Sequence, residues 1–214
     1  STSEPIQDPS DNITIEGLTG IVVIGNDDKT EWTATGQVAS NAAGMANYSI
    51  SVKDHAGNVA TPVTSTTSIN LDTDPPFLSE INLVSNNAND PDAFAKPGDN
   101  LTLSFNSTET LQTPVIILAD NASLNVMDTS INQDGTSWSA VHFVSSGDPN
   151  DNVTFSISYE DIAGNVGVNR TQDNSSTNSI RIDTGIPELE WVSLASNNPD
   201  NSTAMAGDRV TLTV

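Results

Sequence analysis

Residues Val210-Thr-Leu-Thr-Val214, read on into Ser1-Thr-Ser-Glu4-Pro5, reproduce an uninterrupted stretch from mid-chain, Leu101-Thr-Leu-Ser-Phe105-Asn-Ser-Thr-Glu109. One complete repeat therefore lies centrally, and the two ends hold complementary pieces of a second, cut at one point. A half domain cannot bury its own core. Each end must be completed by a neighbouring copy, or by continuation of the chain as one period of a longer tandem array. Both readings point to an extended assembly rather than an enzyme.

The duplication holds along the whole chain, and periods of this kind mark repeat architectures. Ser85-Asn-Asn87 returns as Ser196-Asn-Asn198, and Gly98-Asp99 before a strand returns as Gly207-Asp208. Trp32-Thr-Ala matches Trp138-Ser-Ala, Asp54-His-Ala-Gly-Asn58 matches Asp161-Ile-Ala-Gly-Asn165, and Leu71-Asp72-Thr73 matches Ile182-Asp183-Thr184. The anchors keep one order at nearly one spacing.

Between these anchors the pattern is that of strands. Leu101, Leu103 and Phe105 alternate with polar residues, as do Val153, Phe155, Ile157 and Tyr159, and Tyr48, Ile50 and Val52. A period of two with β-branched and aromatic residues marks strands buried on one face. Clusters of Asp, Gly, Asn and Pro interrupt the chain at the cadence of a β-sandwich. The expected strands of the full repeat are Phe77–Val84, Asn100–Asn106, Pro114–Ala119, Ser123–Thr129, Ser137–Val144, Asn152–Tyr159 and Asn178–Ile182. The fold class expected is all-β: tandem immunoglobulin-like sandwiches, one complete over 73–184 and one split. Residues 1–72 form the incomplete sandwich, and 185–214 supply the first two strands of the next. No helical period is present.

At Ser85-Asn-Asn-Ala-Asn89, Lys96-Pro-Gly-Asp99, Ser107-Thr-Glu109, Trp138, the Asp-x-Ala-Gly-Asn turns and the Asp-Thr-x-Pro links, the chain resembles the immunoglobulin-like repeats of large prokaryotic cell-surface proteins. These include the extender repeats of biofilm adhesins and surface-layer-type domains. The resemblance implies an extracellular spacer module. It departs from such arrays in being cut within a domain rather than between domains.

A sandwich brings its last hairpin loop near the point where the chain enters the domain. Asp161, Asn165 and Glu109 are therefore expected beside the linker carboxylates Asp72 and Asp74, and Glu4, Asp54 and Asn58 of one copy beside Asp183 of the copy before it. Hard oxygen ligands from several loops suit Ca²⁺, and carboxylates this close repel one another without a cation. The alternative is that Asp-x-Ala-Gly-Asn is a self-capped turn and Asp-Thr-Asp-Pro-Pro a stiff linker, with no ion.

The function expected is a structural module of an extracellular filament or adhesin stalk, with other copies of itself as partners, head-to-tail. Leu189, Trp191, Val192, Leu194, Val210, Leu212 and Val214 are the expected assembly anchors, and Ile6, Ile13, Ile15, Val22, Ile24, Trp32, Tyr48, Ile50 and Val52 the expected lining of the acceptor. Adding strands to an open sheet gains ladder hydrogen bonds and apolar burial together. The alternative function is a module that binds a glycan or a cell-surface protein. Trp32 and Trp138 read as core residues, with a sugar platform as the other possibility.

Other classes find no support. Net charge is −22, with only 6 Lys and Arg, which disfavours nucleic acid. No catalytic signature is present, and His55 and His142 hold unmatched positions, so no enzyme is expected. No run of apolar residues is long enough to cross a bilayer as a helix. The Asn-x-Ser/Thr pattern stands at Asn12, Asn47, Asn100, Asn106, Asn121, Asn152, Asn169, Asn174 and Asn201, possible glycosylation sites on a surface protein.

Overall fold

A computed structural model describes residues 1–119, 128–131, 135–172 and 179–214. The protein is nearly all β, and the one helical piece among the described residues is a 3-10 turn at Ser10–Asn12. The first segment carries β1 (Ile13–Ile15), β2 (Leu18–Gly25), β3 (Trp32–Val38), β4 (Gly44–Ala46), β5 (Tyr48–Ile50), β6 (Val63–Thr64) and β7 (Ile69–Leu71). The middle segment carries β8 (Leu78–Ser85), β9 (Phe94–Ala95), β10 (Asn100–Ser107), β11 (Val115–Ala119), β12 (Asp128–Ile131), β13 (Ser137–Phe143), β14 (Thr154–Ser158) and β15 (Arg181–Ile182). The last holds β16 (Ser193–Ser196) and β17 (Val210–Thr213). No helix among the described residues is long and apolar enough to cross a membrane.

The middle segment builds the core. β12, β13, β10 and β8 form a four-stranded sheet in that order, and β11 pairs antiparallel with β14. β10 alternates as the sequence predicts: Leu101, Leu103 and Phe105 are buried, with Asn100, Thr102, Ser104 and Asn106 partly covered between them. Those three pack in one cluster with Ile81, Leu83, Ile116, Leu118, Trp138, Ala140, Phe155, Ile157 and Ile182. The expected strands recur with shifts of a few residues. Most of the segment expected at Ser123–Thr129, and Asn178 at the start of the last strand, lie outside the described residues. One short parallel pairing, Phe94–Ala95 with Arg181–Ile182, has no counterpart in the sequence reading, because two residues carry no period.

The first segment repeats this pattern with less beneath it. β2 pairs with β3, β1–β5–β6 form a small sheet, and β4 pairs with β7. Its buried cluster holds only Ala42, Ala46 and Leu71, with Leu18 and Ala39 against it. β2 corrects one expectation. Val23 lies opposite Ala34, and Val22 and Ile24 lie opposite Thr35 and Thr33. Residues opposite one another share a face, so Val23 faces with Ala34, while Val22 and Ile24 turn to the other, exposed side. The Ile21-Val-Val-Ile24 run is apolar throughout and shows no alternation to read. In the last segment, β16 pairs with β17 alone, and no residue there is buried.

Candidate metal centre and strand-docking faces

The turn Asp161-Ile-Ala-Gly-Asn165 is built by its own side chains. Asp161 Oδ1 accepts from the backbone N–H groups of Gly164 at 2.7 Å and Asn165 at 2.9 Å, and Oδ2 from Asn165 Nδ2 at 2.7 Å. Gly164 takes φ 95°, a left-handed conformation that a side chain would strain. The first segment holds the same turn: Asp54 accepts from Asn58 N–H at 2.8 Å and Asn58 Nδ2 at 2.6 Å, with Gly57 at φ 94°.

Around Asp161 the predicted junction comes together. Carboxylate oxygens of Asp72, Glu109 and Asp161 all lie within 4.8 Å of one another. Asn165 Nδ2 also donates to the Asp72 carbonyl at 3.2 Å, tying the loop to the linker. Asn165 thus meets the cluster through its amide nitrogen. Asp74 stands beside it, its N–H donating to Asp72 Oδ1. Burial, followed by the charges of Asp72, Asp161 and Asp74, raises the Glu109 pKa above the usual carboxylate range. Burial also pushes Asp161 upward, but the hydrogen bonds from Asn165 and Gly164 outweigh it and hold the group below its ordinary value. The junction therefore concentrates negative charge on a preformed loop, the arrangement hard cations neutralise.

The matching set is present in part. Thr2, Ser3, Glu4, Ile6, Asp54 and Asn58 line one concavity. Asp183 lies elsewhere, its N–H donating to the Ala95 carbonyl and its Oδ1 accepting from Gly185 N–H. Two residues missed in the sequence fasten both sets. Gln112 Nε2 donates to the Asp161 carbonyl at 3.1 Å, and Gln7 Nε2 to the Asp54 carbonyl at 2.9 Å. Both follow their glutamate, Glu109 or Glu4, by three residues, and that repeated spacing was the available signal.

The last segment mirrors β8 and β10 in detail. Leu212 pairs with Leu194 and Val210 with Ser196, as Leu103 pairs with Leu83 and Leu101 with Ser85. Asn198 Nδ2 donates to Asp208 Oδ2 as Asn87 Nδ2 does to Asp99 Oδ2. Burial does not follow. Leu101, Leu103 and Phe105 are 0, 0 and 2% exposed, whereas Val210, Leu212 and Val214 are 53, 62 and 70% exposed. Leu189, Val192 and Leu194 likewise stand open where Leu78, Ile81 and Leu83 are buried. Trp191, also exposed, falls at the place of Glu80, itself an exposed residue at φ 51°. It therefore has no buried counterpart.

Trp138 is buried and donates from Nε1 to the Gly135 carbonyl, so its ring offers no sugar platform. Trp32 makes the same bond to the Lys29 carbonyl but is only half-buried, with Lys29 Nζ 5.3 Å from its ring. His142, on β13, holds Asp148 Oδ2 at 2.8 Å, a contact unrelated to His55. Among the possible glycosylation sites, Asn12, Asn47, Asn152, Asn169 and Asn201 are exposed, while Asn100 and Asn106 are half-buried on β10. Asn121 and Asn174 lie outside the described residues. No protein-family model, curated protein or solved structure matches the chain.

Proposed function

We propose that this chain is a structural module of an extracellular filament or long adhesin stalk. In this reading it is built of immunoglobulin-like sandwiches in tandem, and residues 185–214 complete the sandwich begun by 1–72 of the next copy. The observation that carries the reading is the mismatch between local geometry and burial. The β16–β17 hairpin has the register and polar turn of β8–β10, yet its apolar face is open. Burying a large aliphatic side chain is worth about 1.5–3 kcal/mol, and an isolated two-stranded hairpin is marginal in water. Six such open residues, Leu189, Val192, Leu194, Val210, Leu212 and Val214, supply a strong drive to dock. A head-to-tail contact of this kind propagates a fibre and does not close a ring.

Ca²⁺ is the ion this reading assigns to the junctions, held by Asp72, Glu109 and Asp161 in one case. In the other it is held by Glu4 and Asp54 with Asp183 of the preceding copy. It would stiffen the fibre by neutralising carboxylates that otherwise push neighbouring units apart.

Electron microscopy and sedimentation of the chain, beside one ending at residue 184, test the reading. The expected outcome is linear polymers from the full chain and monomers from the shortened one. Monomers from both at high concentration with calcium would refute it.

A further inference from the structure

We infer that the β16–β17 hairpin docks as a preformed unit on the open edge of β3 in a second copy, β17 running antiparallel to β3 with Leu212 opposite Ala34. This rests on the head-to-tail reading above and adds the edge and the register at which two copies meet.

The lane for the incoming strand is already started. Thr2 N–H donates to the Thr30 carbonyl at 2.8 Å, as Ser107 N–H donates to the Thr136 carbonyl at 2.7 Å. Thr2 Oγ1 and Ser107 Oγ each donate to the carbonyl two residues on, Glu4 or Glu109. Ser107 is the end of β10, which continues along β13 with Phe105 opposite Trp138 and Leu103 opposite Ala140. The edge of β3 beyond Thr2 carries no such strand among the described residues, since β3 pairs with β2 alone. Thr2 therefore fixes the register of whatever fills it. Transferring the β10–β13 pairs through the repeat sets Val210, Leu212 and Val214 against Gly36, Ala34 and Trp32. The half-buried Trp32 and Ala34 face the lane with the same alternation that Trp138 and Ala140 show beneath β10.

The occupant is a second copy because the hairpin and the lane leave the middle unit at opposite ends. Asp72 adjoins Asp161, which follows β14, whereas Ile182 N–H bonds the Asp151 carbonyl, which precedes it. About 33 Å of extended strand separates Asp151 from Asp161. A hairpin folding back on its own chain would have to pass the whole unit.

The chain has no cysteine, so disulfide trapping reports the register directly. Thr211 would face Thr35, as Thr102 faces Val141. The Ser107–Thr136 bond makes the odd-numbered positions of β10 the hydrogen-bonded ones, so this pair is the closer, non-hydrogen-bonded type that a disulfide can bridge. Thr35, Thr211 and Thr213 are all exposed, so the substitutions leave the core alone. Mild oxidation of the chain carrying Thr35→Cys and Thr211→Cys is expected to give a covalent ladder in non-reducing denaturing gels. The chain with Thr35→Cys and Thr213→Cys is expected to give none. A ladder from the second chain instead would overturn the register and leave the head-to-tail reading standing. A monomer with its disulfide closed internally would overturn the second copy as occupant. No covalent product from a chain that still polymerises would overturn the docking edge, and none from a chain that stays monomeric would overturn this inference and the head-to-tail reading together.

Discussion

Leu103 and Leu212 hold one place in two hairpins of the same register, one beneath a sheet and the other in water. Ile157 and Ile50 differ in the same sense, the first fully buried and the second half-covered. The polar turns do not differ: Asp161 and Asp54, Asn87 and Asn198 make the same bonds in both settings. Turn geometry and register are decided within a few residues, by side-chain caps and glycine. Burial is decided by strands far away, and among the described residues β16 and β17 pair only with each other.

The sharpest way to break this comparison is to truncate the matched leucines. Leu103→Ala is expected to lower the unfolding free energy of the dilute chain by about 2–5 kcal/mol, as a buried cavity does. Leu212→Ala should leave dilute unfolding unchanged and weaken polymerisation instead. Equal losses in dilute denaturant titrations would contradict the distinction.

A smaller effect is expected from a size exchange. A Cβ on Gly167 would run into the Tyr159 ring. At the corresponding places the first segment has Ala60 and the smaller Val52. Gly167→Ala should therefore cost about 1–3 kcal/mol by overpacking, read from thermal unfolding. Ala60→Gly, at an exposed position, should cost less than that.

The two capped turns should separate next. Asp161→Ala removes the buried acceptor of the Gly164 and Asn165 N–H groups, a loss of about 1–3 kcal/mol, while Asp54→Ala at its exposed turn should be milder. Because the hydrogen bonds hold the Asp161 pKa below its unfolded value, its contribution is complete above about pH 4 and is lost as pH falls through the folded pKa. The gap between wild type and Asp161→Ala should shrink in acid accordingly.

The smallest change expected is at Glu109. Burial and neighbouring carboxylates raise its pKa, so its charged form opposes folding. In chelator at neutral pH, Glu109→Gln should raise the melting temperature. That gain should fade as pH falls through the raised pKa towards about 4.3, where wild type is protonated too. Added Ca²⁺ should raise the melting temperature of wild type and not of Glu109→Gln.

What could be read from the sequence follows the same division. The Asp-x-Ala-Gly-Asn turns and the alternation of β10 were legible because each is a local device. The grouping of Asp72, Glu109 and Asp161 was legible through the order of elements rather than through any motif. The face of β2 was not, since Ile21–Ile24 is uniformly apolar. The alignment of Ser196 with Ser85 already puts Trp191 at the place of Glu80, but the exposure of that position was not legible. The pairing of Phe94–Ala95 with Arg181–Ile182 depends on closure over distance, which no short pattern records.

Hydrogen exchange of the intact chain over a range of concentrations tests the central claim most directly. The account predicts that β10 and β13 amides are protected at every concentration, whereas β17 and β3 gain protection together as copies associate. If β17 and β3 remained unprotected in assembled material, or gained protection in the monomer, the claim that each copy completes the next would be contradicted.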